Sequence, residues 1–328
     1  MSLSRAYLDR HIAAWEARLQ GGGFSYRDKW PSRLFHHAPV ENAVEILRRG
    51  ELLSRAQSAG VRLLDIAGQD VINLRHDAHD FSRLYFRPRT PTQFHIEGIR
   101  RPAEYYHGER AAHAPVLIML IFDAREVLLR EGVCFSNGNM QSPWTEYGNT
   151  EEFFSAIEFA KVYHDSWHDG DRTITSARCA EVLAASPLPL QDTLQWVCCR
   201  SQAERQTLIH LLGDRAADYA DKIIVSDDLR VFDKRFTYVE EVGIQSDGVT
   251  YRLSPRHDGA NVELGVQVTV EGRPPTTIFG PAQWPPLPLN AKRWITRHGI
   301  PPGRHLVRID LEGCRAFEAY LSLDEEPF

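Results

Sequence analysis

Three groups of side chains in this 328-residue sequence have the types and neighbours that chemistry uses. The first is a carboxylate, Glu181, which begins the apolar run "EVLAA" within "RCAEVLAASPLPL". An unpartnered buried charge is costly, so an acid that opens an apolar strand is expected at a sheet edge or in a cleft. The second is His36 with His37, ending the short strand "RLFHH", followed by Ala38 and a helix that carries Asn42. The third is Arg75, with Tyr85 and Phe86 about ten residues later. A fixed carboxylate can stabilise positive charge that develops on a substrate, a guanidinium binds anionic oxygens, and an aromatic face stacks on a flat ring. Taken singly, each group also has a plain structural reading as a solvated strand end, a packed histidine or a surface arginine. Their weight comes from being a set.

The elements that must position them are legible from periodicity and punctuation. Ser4 to Leu19 reads as an amphipathic helix stopped at Gly21-Gly22-Gly23. "PVENAVEILRRGEL" reads as a helix with Pro39 in its first turn, one apolar face of Val40, Ala43, Val44 and Leu47, and Gly50 at its end. Residues 54–76 read as loop and short helix, and "RLYF" as a strand stopped by Pro88 and Pro91. "VLIMLIF" is the central buried strand, "AEVLA" and "LQWVCC" are further strands, and "KIIVS" closes this part. "EEFFSAIEFAKVYHDSW" reads as one helix capped by Asn149 or Thr150, and "SQAERQTLIHLLG" as another. After about residue 235 the segments "YRLSP", "NVELGVQVTVEG", "PTTIFG", "HLVRIDL" and "FEAYLSL" alternate apolar and polar residues between Gly- and Pro-rich turns, the pattern of an antiparallel sandwich or barrel. "GPAQWPPLPLNAKRW" reads as a long proline-rich loop. Two domains are expected, 1–233 and 234–328.

Composition narrows the field. The chain is 43% hydrophobic and 25% charged with a formal net charge of −6, so global charge does not announce a nucleic-acid binder. The first third is nevertheless rich in arginine, including Arg87, Arg89, Arg100 and Arg101, and a local basic face fits beneath an acidic average. Five cysteines without CxxC or Cys/His metal spacing point to reduced thiols, no metal site and a cytoplasmic setting. The amino-terminal segment reads as neither a signal peptide nor a spanning helix, and "APVLIMLIFDA" is too short to cross a bilayer, so no membrane partner is expected. No GxGxxG follows the first strand, which argues against a Rossmann dinucleotide site.

Several separated motifs resemble the DarT family of single-stranded-DNA ADP-ribosyltransferase toxins. "FHHAPVENAVEILRRGEL" is similar to the family's opening strand and Ile-x-Asn helix with its Gly-Leu stop. "DIAGQDVINLRHDAHDFSRLYFRPRTPTQF" is similar to its next block, with a helical arginine, a Tyr-Phe strand and a Pro-Arg-x-Pro turn. "FSNGNMQSPWTEY" resembles its Phe-Thr-Asp-Gly-Asn-Ala loop, and "CAEVLAASPLPL" its Gln-Ala-Glu-Val-Leu strand, with Cys179 where the family often has Gln. Ala38-Pro39 stands in place of a usual Thr-His, and Leu84 replaces a proline-flanked aromatic position. The order holds from about residue 33 to 225; the later, sheet-rich part lies outside the resemblance.

The resemblance implies an α+β fold: a split-sheet core of the ADP-ribosyltransferase type with helices, followed here by a small all-β, sandwich-like domain. It implies NAD as co-substrate without a metal, Glu181 and Arg75 as catalytic residues, and His36, His37, Ala38, Asn42, Tyr85 and Phe86 around the cofactor. Cleavage of the nicotinamide–ribose bond expels an already cationic leaving group and spreads positive charge onto the ribose, which is the charge Glu181 would face. Arg75 suits an electrostatic role on phosphate better than proton abstraction, since a guanidinium keeps its proton. The acceptor implied is a thymidine or guanosine base of single-stranded DNA. Its contacts are expected among Arg87, Arg89, Asn137, Asn139, Trp144 and Tyr147, in or near a segment, Phe135 to Cys179, that also carries Tyr163, Trp167 and His168. The implied biology is the toxin of a toxin–antitoxin or phage-defence system, paired with a DarG-like macrodomain antitoxin. RNA, protein or water as acceptor, and a non-enzymatic nucleic-acid-binding module, are the alternatives.

Overall fold

The computed structural model describes residues 3–21, 24–60, 79–105, 108, 113–140, 142–270, 273–284, 294–295 and 299–324. Arg75 lies outside the described residues, as does most of the expected loop and short helix over 54–76. The chain forms two compact units: residues 1–96, 119–198 and 226–233 make the first, and residues 97–118, 199–225 and 234–328 the second. The fold class is the α+β arrangement expected, a large mixed unit with additional all-β strands.

In the first unit, helix α1 (Arg5–Leu19) begins where the Ser4 hydroxyl accepts the Tyr7 N–H, and buries Leu8, Ile12 and Leu19. Strand β1 (Arg33–Pro39) runs directly into helix α2 (Val40–Arg49), which buries Val40, Ala43, Val44 and Leu47. Gly50, at φ 72°, ends α2 by donating its N–H to the Ile46 and Leu47 carbonyls. The other strands here are β2 (Glu51–Leu52), β3 (Phe81–Tyr85), β4 (Leu117–Asp123), β5 (Cys134–Ser136), β6 (Tyr147–Gly148), β7 (Glu181–Ala185), β8 (Leu188–Pro189) and β9 (Leu194–Cys199). Within this unit the large sheet runs β9-β4-β1-β3-β7-β5-β6, with β2 and β8 paired separately. Six of the seven residues of β4 are buried, as its unbroken apolar run requires of a central strand. In β3, by contrast, Ser82 and Leu84 are buried while Phe81, Arg83 and Tyr85 are half-exposed. This period-two alternation gives β3 one core face and one open face.

The single helix expected over 151–167 is broken. Helical turns span Glu151–Ala156 and Phe159–Val162, with Ile157 extended between them, and a loop follows to the short helix Arg172–Ala177. The cause is the spacing of the large apolar residues. Five residues of continuous helix would set Phe159 about 140° around the axis from Phe154. The break brings both rings into one cluster with Phe86, His11 and Tyr163.

The second unit contains β10 (Ile223–Val225), β11 (Val239–Gln245), β12 (Gly248–Leu253), β13 (Val262–Val270), β14 (Thr276–Trp284), β15 (Trp294–Ile295), β16 (Gly303–Leu311) and β17 (Cys314–Leu323). Two antiparallel sheets, β11-β12-β15 and β14-β13-β16-β17, share an apolar core. Alternation fixes the register: Leu264, Val266 and Val268 of β13 oppose Leu311, Ile309 and Val307 of β16. The expected loop beginning at Gly280 is instead strand as far as Trp284. Gly280 permits this, since at φ 76° a Cβ would lie 2.1 Å from the Leu264 carbonyl oxygen. The sequence reading places 97–118 and 199–225 in the first domain, yet both belong to the second unit. Long-range polar contacts tie them there: Glu97 accepts the Lys234 N–H and faces Arg200 at 3.8 Å, and Glu104 pairs with Arg256 at 2.6 Å.

Candidate active site

The open face of β3 meets the start of β7. The antiparallel register sets Tyr85 opposite Glu181, and Tyr85 also opposes Phe35 of β1. Glu181 is 0% exposed, so its charge needs a partner, and Arg83 supplies it. The Arg83 Nε and Nη2 donate to Oε2 and Oε1 at 2.5 and 2.6 Å, a two-pronged clasp. Oε1 also accepts the Met140 backbone N–H at 3.3 Å. Burial works against the charge on Arg83, but the neighbouring Glu181 carboxylate outweighs it and holds the guanidinium protonated well above its ordinary range. The Glu181 N–H is accepted by the buried Ser136 hydroxyl at 2.9 Å, and that hydroxyl donates to the Gly138 carbonyl at 2.7 Å. The carboxylate is thus fixed from both its strand and the loop after β5.

The surrounding rings are neutral. The His37 ring lies parallel to Tyr85 with centroids 5.3 Å apart, and burial, with help from His36 and Arg83, lowers its pKa to about 3. His36 is also lowered, first by burial. Its Nδ1 lies 2.9 Å from the Arg83 carbonyl oxygen, which can only accept; Nδ1 therefore carries the proton and Nε2 is the free acceptor of the neutral ring. Burial and the Glu181 charge raise the Tyr85 hydroxyl, which stays protonated. Burial and Glu181 also push the Cys179 thiol up to about 12, so no thiolate nucleophile stands beside the acid.

The remaining expected site residues divide. Ala38 is buried at the end of β1, and Asn42 is half-buried on α2. Phe86 faces the core, edge-on to Phe154 and Phe159, and is corrected from a ring beside the cofactor to a packing residue. Arg87 is 1% exposed: it donates to the Pro88, Val162 and His164 carbonyls and to Asp165, with its guanidinium 4.8 Å from the Trp30 centroid. Burial lowers its pKa to about 10, with Asp165 opposing the drop. Arg89 pairs with the same Asp165 and with the Tyr26 hydroxyl. Arg87 is thus corrected from a phosphate contact to a buried partner of Asp165, and Arg89 shares that partner. Asn137 closes a loop with Glu146 through reciprocal bonds of 3.1 Å, and the Asn139 carbonyl accepts from Ser142 and Thr145. On that loop Trp144 is 88% exposed, and Tyr147 beyond it is exposed on β6. Arg83 is the residue that the sequence reading missed. Its signal was the alternation of β3, which sets it on the same face as Tyr85.

A buried carboxylate clasped by a guanidinium, among neutral hydrogen-bonding rings and with no thiolate beside it, suits the stabilisation of positive charge on a bound sugar. That is the chemistry of enzymes that transfer a glycosyl group from a cationic leaving group. A family model described as "DarT: ssDNA thymidine ADP-ribosyltransferase, DarT" matches residues 35–228, and the chain belongs to this family; it is an ADP-ribosyltransferase with NAD+ as co-substrate. Among solved structures it is similar to Thermus sp. 2.9 DarT in complex with ADP-ribosylated ssDNA (17% identity, 61% of this chain and 96% of that one, TM-score 0.47). It is also similar to the same protein in complex with NAD+ (17%, 61% and 97%, 0.45) and to Thermosipho africanus DarTG in complex with ADP-ribose (14%, 68% and 55%, 0.45). No curated protein sequence matches. Among the described residues no group of His, Cys, Asp and Glu could hold a metal ion, and no helix is long and apolar enough to cross a membrane.

Proposed function

We propose that the chain attaches ADP-ribose from NAD+ to a thymidine or guanosine base of single-stranded DNA, with Glu181 as the catalytic carboxylate. NAD+ supplies the ADP-ribosyl group on a nicotinamide that leaves without needing a proton. Glu181 faces the charge that grows on the ribose, and its clasp by Arg83 keeps it immobile, so no reorganisation is required as the bond breaks. The neutral His36 offers Nε2 to a ribose hydroxyl, and Asn42 offers an amide. Tyr85, already stacked with His37, offers a flat face to nicotinamide. Arg75 takes the diphosphate.

The observation that carries this reading is a shared loop. The residues between Asn137 and Glu146 donate the Met140 N–H to Glu181 and also carry the exposed indole of Trp144. One loop therefore links the acid to an aromatic face suited to an unpaired base. Asn137, Asn139 and Tyr147 belong to the same proposed acceptor surface. In the cell, the activity fits a cytoplasmic toxin of a toxin–antitoxin or phage-defence pair, with a macrodomain partner that removes the mark.

The protein incubated with NAD+ and oligonucleotides differing in one base should add a single ADP-ribose mass to those containing the target base. Glu181→Ala should leave every oligonucleotide unmodified. Four unchanged oligonucleotides, or modification of RNA or protein in their place, would overturn the acceptor assignment. Expression of the wild type but not of Glu181→Ala should arrest growth, with relief by a co-expressed macrodomain.

A further inference from the structure

Strand β5 ends where two parts of the proposed site meet. It pairs with β7 through Cys134 opposite Leu183 and Phe135 opposite Val182, and on its other side Ser136 pairs with Tyr147 of β6. Ser136 therefore lies between the strand that begins at Glu181 and the strand that carries Tyr147. It is fully buried, and a hydroxyl so placed needs partners. Its Oγ accepts the Glu181 N–H at 2.9 Å and donates its proton to the Gly138 carbonyl at 2.7 Å. A hydroxyl has a single proton, so the two bonds set its orientation as well as its place. One side chain thus joins the first residue of β7 to the loop Asn137–Glu146.

The loop is closely packed just beyond this joint. Gly138 is buried, and a Cβ there would lie 2.6 Å from the Oγ of Ser176, on the helix Arg172–Ala177, and 3.3 Å from the Thr145 Oγ1. The Thr145 hydroxyl donates to the Asn139 carbonyl at 2.6 Å, which draws the two arms of the loop together. The Met140 N–H then returns to Glu181 Oε1 at 3.3 Å. Glu181 is held at both ends, its backbone by Ser136 and its carboxylate by Arg83. Arg83 comes from β3, so its two bonds to the carboxylate do not pass through the loop. Removing the Ser136 hydroxyl leaves that clasp in place and releases the Gly138 carbonyl, so the change falls first on the loop.

We propose that Ser136 is a positioning residue for the acceptor: its hydroxyl registers the loop that carries Trp144, and the strand that carries Tyr147, against Glu181. This rests on the acceptor reading given above, in which that loop meets an unpaired base. A misplacement of about 1 Å between reacting groups can cost about 100-fold in rate, so a single hydrogen bond at such a joint is enough to matter.

The test measures initial rates of oligonucleotide modification by the full chain, varying oligonucleotide at saturating NAD+ and NAD+ at saturating oligonucleotide. In Ser136→Ala the KM for oligonucleotide should rise about tenfold, while the KM for NAD+ stays within about twofold of the wild type. Ser136→Thr, which keeps the hydroxyl, should restore the oligonucleotide KM. A merely structural role would reduce the amount of active protein, which lowers the apparent kcat and leaves KM where it was. Gly138→Ala keeps the Ser136 hydroxyl and crowds the loop from the Ser176 side. It should show the same split between the two KM values, and it decides the matter if Ser136→Ala does not fold. An oligonucleotide KM within about twofold of the wild type in both variants, equal rises in the two KM values, or a Ser136→Thr value as high as that of Ser136→Ala overturns this inference and leaves the acceptor standing. A wild-type protein that modifies no oligonucleotide overturns both.

Discussion

Replacing Glu181 by Gln keeps the side chain's shape and removes its charge. The clasp has two charge-assisted bonds, at 2.5 and 2.6 Å, and the carboxylate side chain is only 1% exposed. An amide offers one oxygen to the Arg83 fork and turns an NH2 towards the other N–H, so donor meets donor and the guanidinium is left partly unpaired. Loss of one partner of a buried pair costs about 3–5 kcal/mol. The Arg83 side chain is 26% exposed, which favours the lower end. About 3 kcal/mol corresponds to a melting temperature lower by roughly 6–12 °C in a unit of this size. Turnover should fall about 100- to 1,000-fold, the usual effect of removing one pre-organised electrostatic group. Replacing both partners, in Arg83→Met/Glu181→Gln, separates the two roles. Stability should return to within about 1 kcal/mol of the wild type, since no buried charge is then left alone, and activity should not return. Thermal melts and single-turnover assays with saturating oligonucleotide read the two quantities independently. A double variant as unstable as the sum of the singles would refute the clasp. A Glu181→Gln rate within threefold of the wild type would refute the charge-stabilisation argument.

Three further outcomes follow from the same contacts. Asp165→Asn should destabilise the protein by about 3 kcal/mol, because Arg87 and Arg89 lose their shared partner. Burial alone would raise the Asp165 carboxyl, but the two arginines outweigh it and hold it below the usual range; its stability is therefore present above the unfolded value of about 3.9 and lost as pH falls through the lower folded one. Denaturant titrations at pH 7 and pH 3 should show that acid loss in the wild type and a smaller one in the variant. His11, among Phe154 and Phe159, is lowered by burial to about 4, so it stabilises the fold above pH 6.5 and loses up to about 3 kcal/mol as pH falls towards 4; His11→Phe should flatten that part of the stability–pH curve. Trp144→Ala should raise the KM for oligonucleotide about tenfold, read by initial rates across oligonucleotide concentrations.

The parts of this molecule that could be read from its sequence are those governed by neighbours in the chain. The helix Val40–Arg49 was legible because its apolar spacing and Gly50 stop are local, and β13 and β16 because alternation needs no knowledge of a partner. Glu181 was legible as an acid in front of an apolar strand. The assignment of both Tyr85 and Phe86 to the cofactor could not hold on local grounds, since adjacent strand residues point to opposite faces and only one can meet the cleft. Arg83, two residues before Tyr85, shares its face by the same rule. What hid it is that its partner lies 98 residues away, and nothing near position 83 says that a carboxylate will arrive there. Arg87 and Arg89 show the same limit in reverse. In the sequence they are a basic turn between prolines. In the fold Asp165, 76 to 78 residues distant, takes both and turns a surface charge into a clamp for the loop that carries Trp167. The mechanism proposed above needs a carboxylate held in place, and a carboxylate is held by the donors brought to it. Those donors, Arg83 and the Met140 N–H, and the Ser136 hydroxyl that accepts the Glu181 N–H and so holds the strand, come from three places in the chain, so the site becomes legible when the sheet is assembled.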